Sequence, residues 1–304
     1  MNAHLLKTGV CSVVLGPGHY GKFINITEDT KEKLLKITKV TDKHNEFTHL
    51  SIIRSIENYN DYYSIPDDIL FVLKPSHKFY TYIEYLVKLE QMTIFNGPLT
   101  YFYIDNAGDK ELLETINRMY DNNDFTFWKS YSQILKFAVK IMHGLNFLHE
   151  KQLCHLDIKP ENIMVNTANK TFKIIDFGFC SIEPFDDYLH NIRGTPGYFP
   201  QYFKNVKIHP WFPKIEANDM ILIDNQIPMV KNRKLVYKVD SYCFGRILYL
   251  LNYIYTDNVT ICCYNYETQT NNKINKINKL IDSLMEDDVF KRLTIKQALD
   301  LIES

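Results

Sequence analysis

Hydrophobic and polar positions along the first hundred residues follow the short period of a pleated sheet, and the period then lengthens. The runs 12–15 (SVVL), 22–27 (KFINIT) and 33–40 (KLLKITKV) are short and apolar or β-branched, with polar or glycine-bearing turns around them, and predict three strands. In 45–58, Phe47, Leu50, Ile53 and Ile56 recur at near-helical spacing and predict a helix. The apolar runs 68–73 (DILFVL) and 99–104 (LTYFYI) predict two more strands. Beyond the turn-rich stretch 105–109 (DNAGD), Ile134, Phe137, Ala138, Ile141, Leu145 and Leu148 form one apolar stripe, the mark of a buried amphipathic helix. A strand-rich front followed by a helix-rich back predicts two lobes with a hinge near Asp105.

Composition narrows the function classes. With 304 residues, 45% of them hydrophobic and 23% charged, the chain is globular and long enough for one large domain or two lobes. A net charge of −1 excludes nucleic-acid binding by broad phosphate neutralisation. The six cysteines have no metal-ligand spacing, which predicts a reducing, intracellular and cytoplasmic setting. No apolar run approaches about 20 residues; the longest, from Ile247, contains Asn252, so no membrane insertion is expected. Lys7 interrupts the apolar N-terminus, which runs into a glycine loop and does not read as a signal peptide. The abundance of Asn, Ile, Lys and Tyr, with a near-low-complexity stretch from Thr268, suggests an AT-rich genome.

Three stretches carry candidate chemistry. Gly16, Gly18 and Gly21 in GPGHYG fit G-x-G-x-x-G, which either opens a helix in a dinucleotide fold or turns between two strands over nucleotide phosphates. The strand-like KFINIT that follows favours the second reading, with a plain glycine-rich hairpin as the alternative. On the third predicted strand Lys36 is flanked by apolar residues, as a phosphate-contacting lysine would be; Lys39 points to the other face. The third stretch, 154–162 (CHLDIKPEN), crowds acids, a lysine and an asparagine between a helix pattern and a strand pattern, and KIIDFGF (173–179) follows.

His155, Asp157, Lys159 and Asn162 in HLDIKPEN, with Asp176 in DFG, resemble the eukaryotic protein kinase family, whose catalytic loop is H-R-D-x-K-x-x-N and whose metal loop is D-F-G. The resemblance extends, with gaps, from about Gly16 to the C-terminus. GTPGYFPQ (194–201) is similar to the peptide-receiving segment that ends the family's activation loop, and DSYCFGRILYLL (240–251) to the helix that anchors its large lobe. Lys159 together with Thr195 matches the serine/threonine branch. Small-molecule kinases share H-x-D-x-x-x-x-N but usually lack that lysine and the peptide segment. A pseudokinase scaffold is the other alternative, and the survival of the lysine, aspartate and metal loop weighs against it.

The resemblance implies an α+β, bilobal protein kinase fold: one kinase domain over 1–304, with an N-lobe (1–104) of antiparallel sheet and one helix, a hinge (105–109) and a mainly helical C-lobe (110–304). It implies transfer of the γ-phosphate of ATP to a protein Ser/Thr hydroxyl, with Asp157 as catalytic base and Lys159 steadying the transferred group. Asn162 and Asp176 would hold Mg2+. Gly16, Gly18, Gly21 and Lys36 would meet the phosphates, the backbones of Asp105 and Ala107 the adenine, and Ile104 would stand at the gate to a back pocket. His155 would be structural, and Asp240 would hold the catalytic-loop backbone.

The sequence departs from the family at four places. Leu156 replaces the arginine of H-R-D, which in the family pairs with an activation-loop phosphate. Gln201 replaces a glutamate that would pair with Arg292. The stretch 202–239 is longer than the family norm and reads as an insertion apolar enough to pack on the large lobe. The helix glutamate that should partner Lys36 is ambiguous: Glu46 or Glu57 competes with an alignment that puts His49 in its place. In overall character the chain looks like a divergent, compact kinase such as large DNA viruses encode, acting in host cytoplasm in that case.

Overall fold

The computed structural model describes residues 11–13, 22–28, 31–39, 46–70, 99–105, 107–186, 188, 194–195, 197–200, 203–204, 221–222, 232–259 and 267–303. Gly16, Gly18, Gly21 and Gln201 lie outside them, as do residues 202, 205–220 and 223–231 of the stretch expected to be an insertion. The chain divides into two compact units, one of residues 1–45 and 64–106, the other of 46–63 and 107–304.

The first unit holds a five-stranded antiparallel sheet. Its strands are β1 (Cys11–Val13), β2 (Lys22–Glu28), β3 (Lys31–Lys39), β4 (Pro66–Leu70) and β5 (Leu99–Asp105), in the spatial order β1-β2-β3-β5-β4. The predicted strands appear with starts shifted by up to two residues, as expected where pairing rather than propensity fixes the limits. Strand β3 is central, and Lys36 on it stands in register with Phe23 of β2 and Phe102 of β5. The pairing of β4 with β5 contains an irregularity between Pro66 and Asp68; proline lacks the N–H a regular ladder needs.

Helix α1 (Glu46–Arg54) belongs to the second unit. It ends four residues short of the predicted stretch because the backbone N–H and the hydroxyl of Ser55 both turn back to Ile52 O, and Asn58 adopts a left-handed φ of 55°. His49, Leu50 and Ile53 are buried on this helix. The following residues bind into the second unit: Ile174 N donates to Tyr62 O (2.8 Å), and the buried Tyr63 hydroxyl donates to Gly144 O.

The rest of the second unit is mainly helical. A strand β6 (Lys110–Glu111) leads into α2 (Leu112–Asn122) and α3 (Tyr131–Glu150). The six stripe residues of α3, from Ile134 to Leu148, are all fully buried or nearly so. Phe137 on that stripe meets Trp128 and Phe172 in an aromatic cluster, with ring centroids 4.9 to 5.9 Å apart. Four short strands follow, β7 (Leu153–Cys154), β8 (Ile163–Asn166), β9 (Thr171–Ile174) and β10 (Ser181–Ile182). After a two-residue pair, β11 (Phe203–Lys204) with β12 (Ile221–Leu222), come α4 (Tyr237–Val259), α5 (Glu267–Leu284) and α6 (Ile295–Glu303). Of the stretch 202–239, expected to be an insertion, the described residues show the ladder β11–β12, the helical turn Arg233–Val236 and the start of α4. Among the described residues no helix is long and apolar enough to cross a membrane.

Gly108, next to the predicted adenine contact Ala107, is required by close approach. A Cβ there would sit 2.4 Å from the carbonyl oxygen of Val165. The same carbonyl accepts from Asp109 N at 3.0 Å, and the Asp109 carboxylate takes bonds from the amide and hydroxyl of Thr167, so this end of the connector is fastened to the β8–β9 hairpin.

Candidate active site

The two motif-bearing loops are joined by strand pairing. Strand β7 enters 155–162 and pairs with β10, which follows 176–178, in the register Ser181↔Cys154 and Ile182↔Leu153. Between them β8 and β9 form an antiparallel hairpin. Ile175, the residue before Asp176, donates its N–H to Asn162 O (3.0 Å) and accepts from His155 Nε2 (3.1 Å). The backbone thus sets Asp176 beside the Asn162 end of the other loop. Asp176 itself has a left-handed φ of 60°.

Asp240 holds the base of 155–162. Its Oδ2 accepts from His155 N (2.9 Å) and its Oδ1 from Leu156 N (2.8 Å), while His149 Nε2 reaches Oδ2 at 2.9 Å. A carboxylate offers only acceptors, so the His149 proton lies on Nε2. Burial would raise the fully enclosed Asp240 carboxyl, but the His149 hydrogen bond, the two nearby imidazoles and the His155 amide outweigh it and hold it below the usual carboxylate value. Leu156 is fully buried with φ at +65°, a backbone state costly for a branched side chain, and the two-point grip of Asp240 on this turn is what sustains it.

His155 is enclosed and structural in its contacts. Its Nδ1 accepts from Asp157 N (3.3 Å), which assigns the ring proton to Nε2, and its ring lies against Phe177 at 5.2 Å. Phe177 is buried between His155 and Tyr63.

Around Asp157 the polar groups converge. Asn162 Nδ2 donates to both the Asp157 carbonyl oxygen (2.8 Å) and Oδ2 (3.0 Å). Lys159 Nζ lies 3.2 Å from Oδ2. The Thr195 hydroxyl donates to Asp157 Oδ1 at 2.6 Å and accepts from Lys159 Nζ at 2.8 Å. Asp157 is nearly buried, so these charge-assisted bonds are strong and oriented. Because Asn162 commits its amide nitrogen to Asp157, its Oδ1 remains a hard oxygen not engaged there. With the Asp176 carboxylate on the adjoining loop, this donor chemistry fits magnesium. Near the same loop, burial pushes the Glu161 carboxyl up and the Asp157 charge adds to the effect.

The segment 194–200 borders this cluster. Gly194 has a φ of +148°, and a Cβ there would stand 3.2 Å from both Leu156 O and the Phe199 ring. Gly197 O accepts from Arg246 Nε at 3.1 Å. Arg292 is buried, with Nε on Glu286 O (2.8 Å), Nη1 near Lys238 O (3.3 Å) and its guanidinium 4.8 Å from the Tyr242 ring centre.

The structure therefore brings together His155, Asp157, Lys159, Asn162 and Thr195, and pins the backbone before Asp176 to them. Lys36 and Asp105 are described as strand backbone in the first unit, and Ala107 as a buried residue of the second. Sequence reasoning gave no role to His149, Glu183 or Tyr237. The first two carry no local signal beyond an end-of-helix histidine and an acid after a strand.

Comparison with known proteins agrees with this geometry. The family described as protein kinase domain matches residues 11–202, well over half of the chain. The chain is 30% identical over 146 residues to the mitosis inhibitor protein kinase SWE1 of Candida albicans, a match covering 46% of this chain and 11% of that protein. It is 32% identical over 140 residues to the G-type lectin S-receptor-like serine/threonine-protein kinase LECRK2 of Oryza sativa subsp. japonica, covering 41% and 17%. It is 36% identical over 73 residues to the serine/threonine-protein kinase dkf-1 of Caenorhabditis elegans, covering 23% and 10%. The matched regions are thus a tenth to about a sixth of those proteins' own lengths. With an antiparallel sheet in one unit, a mainly helical second unit and the family signature across 11–202, the chain has the α+β bilobal protein kinase fold and belongs to the protein kinase domain family.

Proposed function

We propose that the protein is a serine/threonine protein kinase that transfers the γ-phosphate of ATP to a protein hydroxyl. The observation that carries this reading is the Thr195 hydroxyl held between Asp157 Oδ1 (2.6 Å) and Lys159 Nζ (2.8 Å). An alcohol oxygen held in that way gives its proton to a carboxylate while a cation faces the oxygen. In the reaction, the substrate Ser or Thr oxygen forms a bond to the γ-phosphorus, the bond from that phosphorus to the bridging oxygen breaks, ADP leaves, and Asp157 accepts the hydroxyl proton. Lys159 neutralises charge on the transferred group. Asn162 Oδ1 and the Asp176 carboxylate would hold Mg2+, which, when bound, neutralises phosphate charge. Gly16, Gly18, Gly21 and Lys36 are proposed to meet the nucleotide phosphates, and the backbones of Asp105 and Ala107 the adenine.

The hydroxyl preference is supported by Lys159 and Thr195 and by the serine/threonine names of two of the relatives. Incubating the purified chain with labelled ATP, magnesium and a peptide library tests the proposal. Label on Ser or Thr is the expected result; label on tyrosine or a small molecule alone, or none, overturns it.

A further inference from the structure

A chain of contacts in the second unit runs from the segment after the metal loop to the catalytic loop, and the transfer chemistry does not use it. Glu183, just past β10, donates its backbone N–H to Gln152 O (2.8 Å), and its Oε2 accepts from Tyr237 Oη (2.9 Å). Tyr237 begins α4, and its ring lies 5.0 Å from the His149 ring on one side and 5.0 Å, edge to face, from Phe185 on the other. His149 then donates to Asp240, which grips the amides of His155 and Leu156 immediately before Asp157. Phe185 and Tyr188 are fully buried, so the segment is docked by its own side chains.

We infer that Glu183, Tyr237 and His149 are positioning residues forming a built-in latch that docks the segment 181–188 on the start of α4 and steadies the backbone beneath Asp157. The catalytic half of this inference rests on the kinase reading above. The latch is carried by the rings and the Tyr237–Glu183 bond. The nearby Arg233–Asp186 pair, 2.7 Å apart, is about half exposed on both sides and is weakened by solvent screening. Burial pushes the Tyr237 hydroxyl up and the Glu183 bond pushes it further, so it stays a proton donor through the ordinary pH range. Tyr237 is the first residue of α4 and lies near the end of the stretch 202–239, so the latch also ties the end of that stretch to the segment after the metal loop.

The test combines amide hydrogen exchange across 181–188 with steady-state kinetics on a Ser/Thr peptide. Tyr237→Phe keeps the ring and removes the hydroxyl, Glu183→Ala removes the acceptor, and Glu183→Gln keeps an acceptor. Tyr237→Phe and Glu183→Ala are expected to speed exchange in 181–188 by about tenfold and to lower kcat by about three- to tenfold with KM for ATP within about twofold. Glu183→Gln should stay close to wild type. The double variant Tyr237→Phe, Glu183→Ala should be no worse than either single change, because both break one bond. Unchanged exchange in both singles, or effects that multiply in the double variant, overturns the latch. Faster exchange with unchanged kcat overturns its link to catalysis. A wild-type protein without transferase activity overturns the kinase reading, while the exchange data still decide whether the segment is latched.

Discussion

The hydroxyl of Thr195 donates to Asp157 Oδ1 across 2.6 Å, from a residue 38 positions further along the chain. This bond places the proposed base opposite an alcohol and predicts what its loss does. Asp157→Asn keeps the shape and removes the proton acceptor. It is expected to lower phosphate transfer by about 10²- to 10⁴-fold while leaving nucleotide affinity near wild type. Single-turnover transfer alongside calorimetric nucleotide binding checks both, and wild-type turnover in a folded variant would remove Asp157 from the role.

Asp176 should act through the metal. Asp176→Asn replaces a charged hard ligand with a neutral one, so the gain in nucleotide affinity on adding magnesium should shrink by about tenfold or more. Titrations with and without magnesium read this without any turnover. An unchanged magnesium effect would count against Asp176 as a ligand.

Asp240 carries a stability prediction with a defined pH window. Asp240→Ala leaves the amides of His155 and Leu156 and the His149 ring without their acceptor, and should cost about 3–5 kcal/mol in urea unfolding at neutral pH. The folded carboxyl lies below its ordinary value of 3.8. Its contribution is therefore complete above that value and is lost as pH falls from 3.8 toward the lower folded value, because the unfolded chain takes up the proton first. Stability curves of the wild type should slope in that window, and those of Asp240→Ala should be flatter there.

The Leu156 side chain has no donor with which to read a phosphate, and two hydroxyl-bearing residues of the following segment, Ser181 and Tyr188, are both buried. Activity is accordingly expected to survive phosphatase treatment. Ser181→Ala and Tyr188→Phe should retain most of it, with any loss below about tenfold, which corresponds to about 1.4 kcal/mol in barrier height. Peptide phosphorylation rates before and after treatment decide the matter.

What the sequence made legible, and what it hid, follows from the range of the interactions. The five strands and the α3 stripe could be read because each is specified by neighbours a few residues apart. The core of the site was legible for a similar reason: His155, Asp157, Lys159 and Asn162 fall within eight residues, with Asp176 in a second short motif. The true end of α1 was not, since it depends on Ser55 turning back and on the left-handed Asn58. His149 and Asp240 are 91 residues apart, and no local pattern announces that pair. Nor does any local pattern lead Arg292 to the carbonyls of Glu286 and Lys238, because only tertiary packing brings those oxygens within reach.

The short ladder between β7 and β10 has a consequence for protein engineering. A graft limited to 155–162 would part the loop from the strand that closes it and from the Ile175 contacts. Residues 153–182, moved as one block, bring their own ladder, hairpin and both motif loops. The recipient would then have to supply an aspartate at the position of Asp240 and a hydroxyl at that of Thr195. The unit of exchange between two such proteins is therefore the whole cassette, and chimeras cut at its two strands should fold where chimeras cut inside it fail.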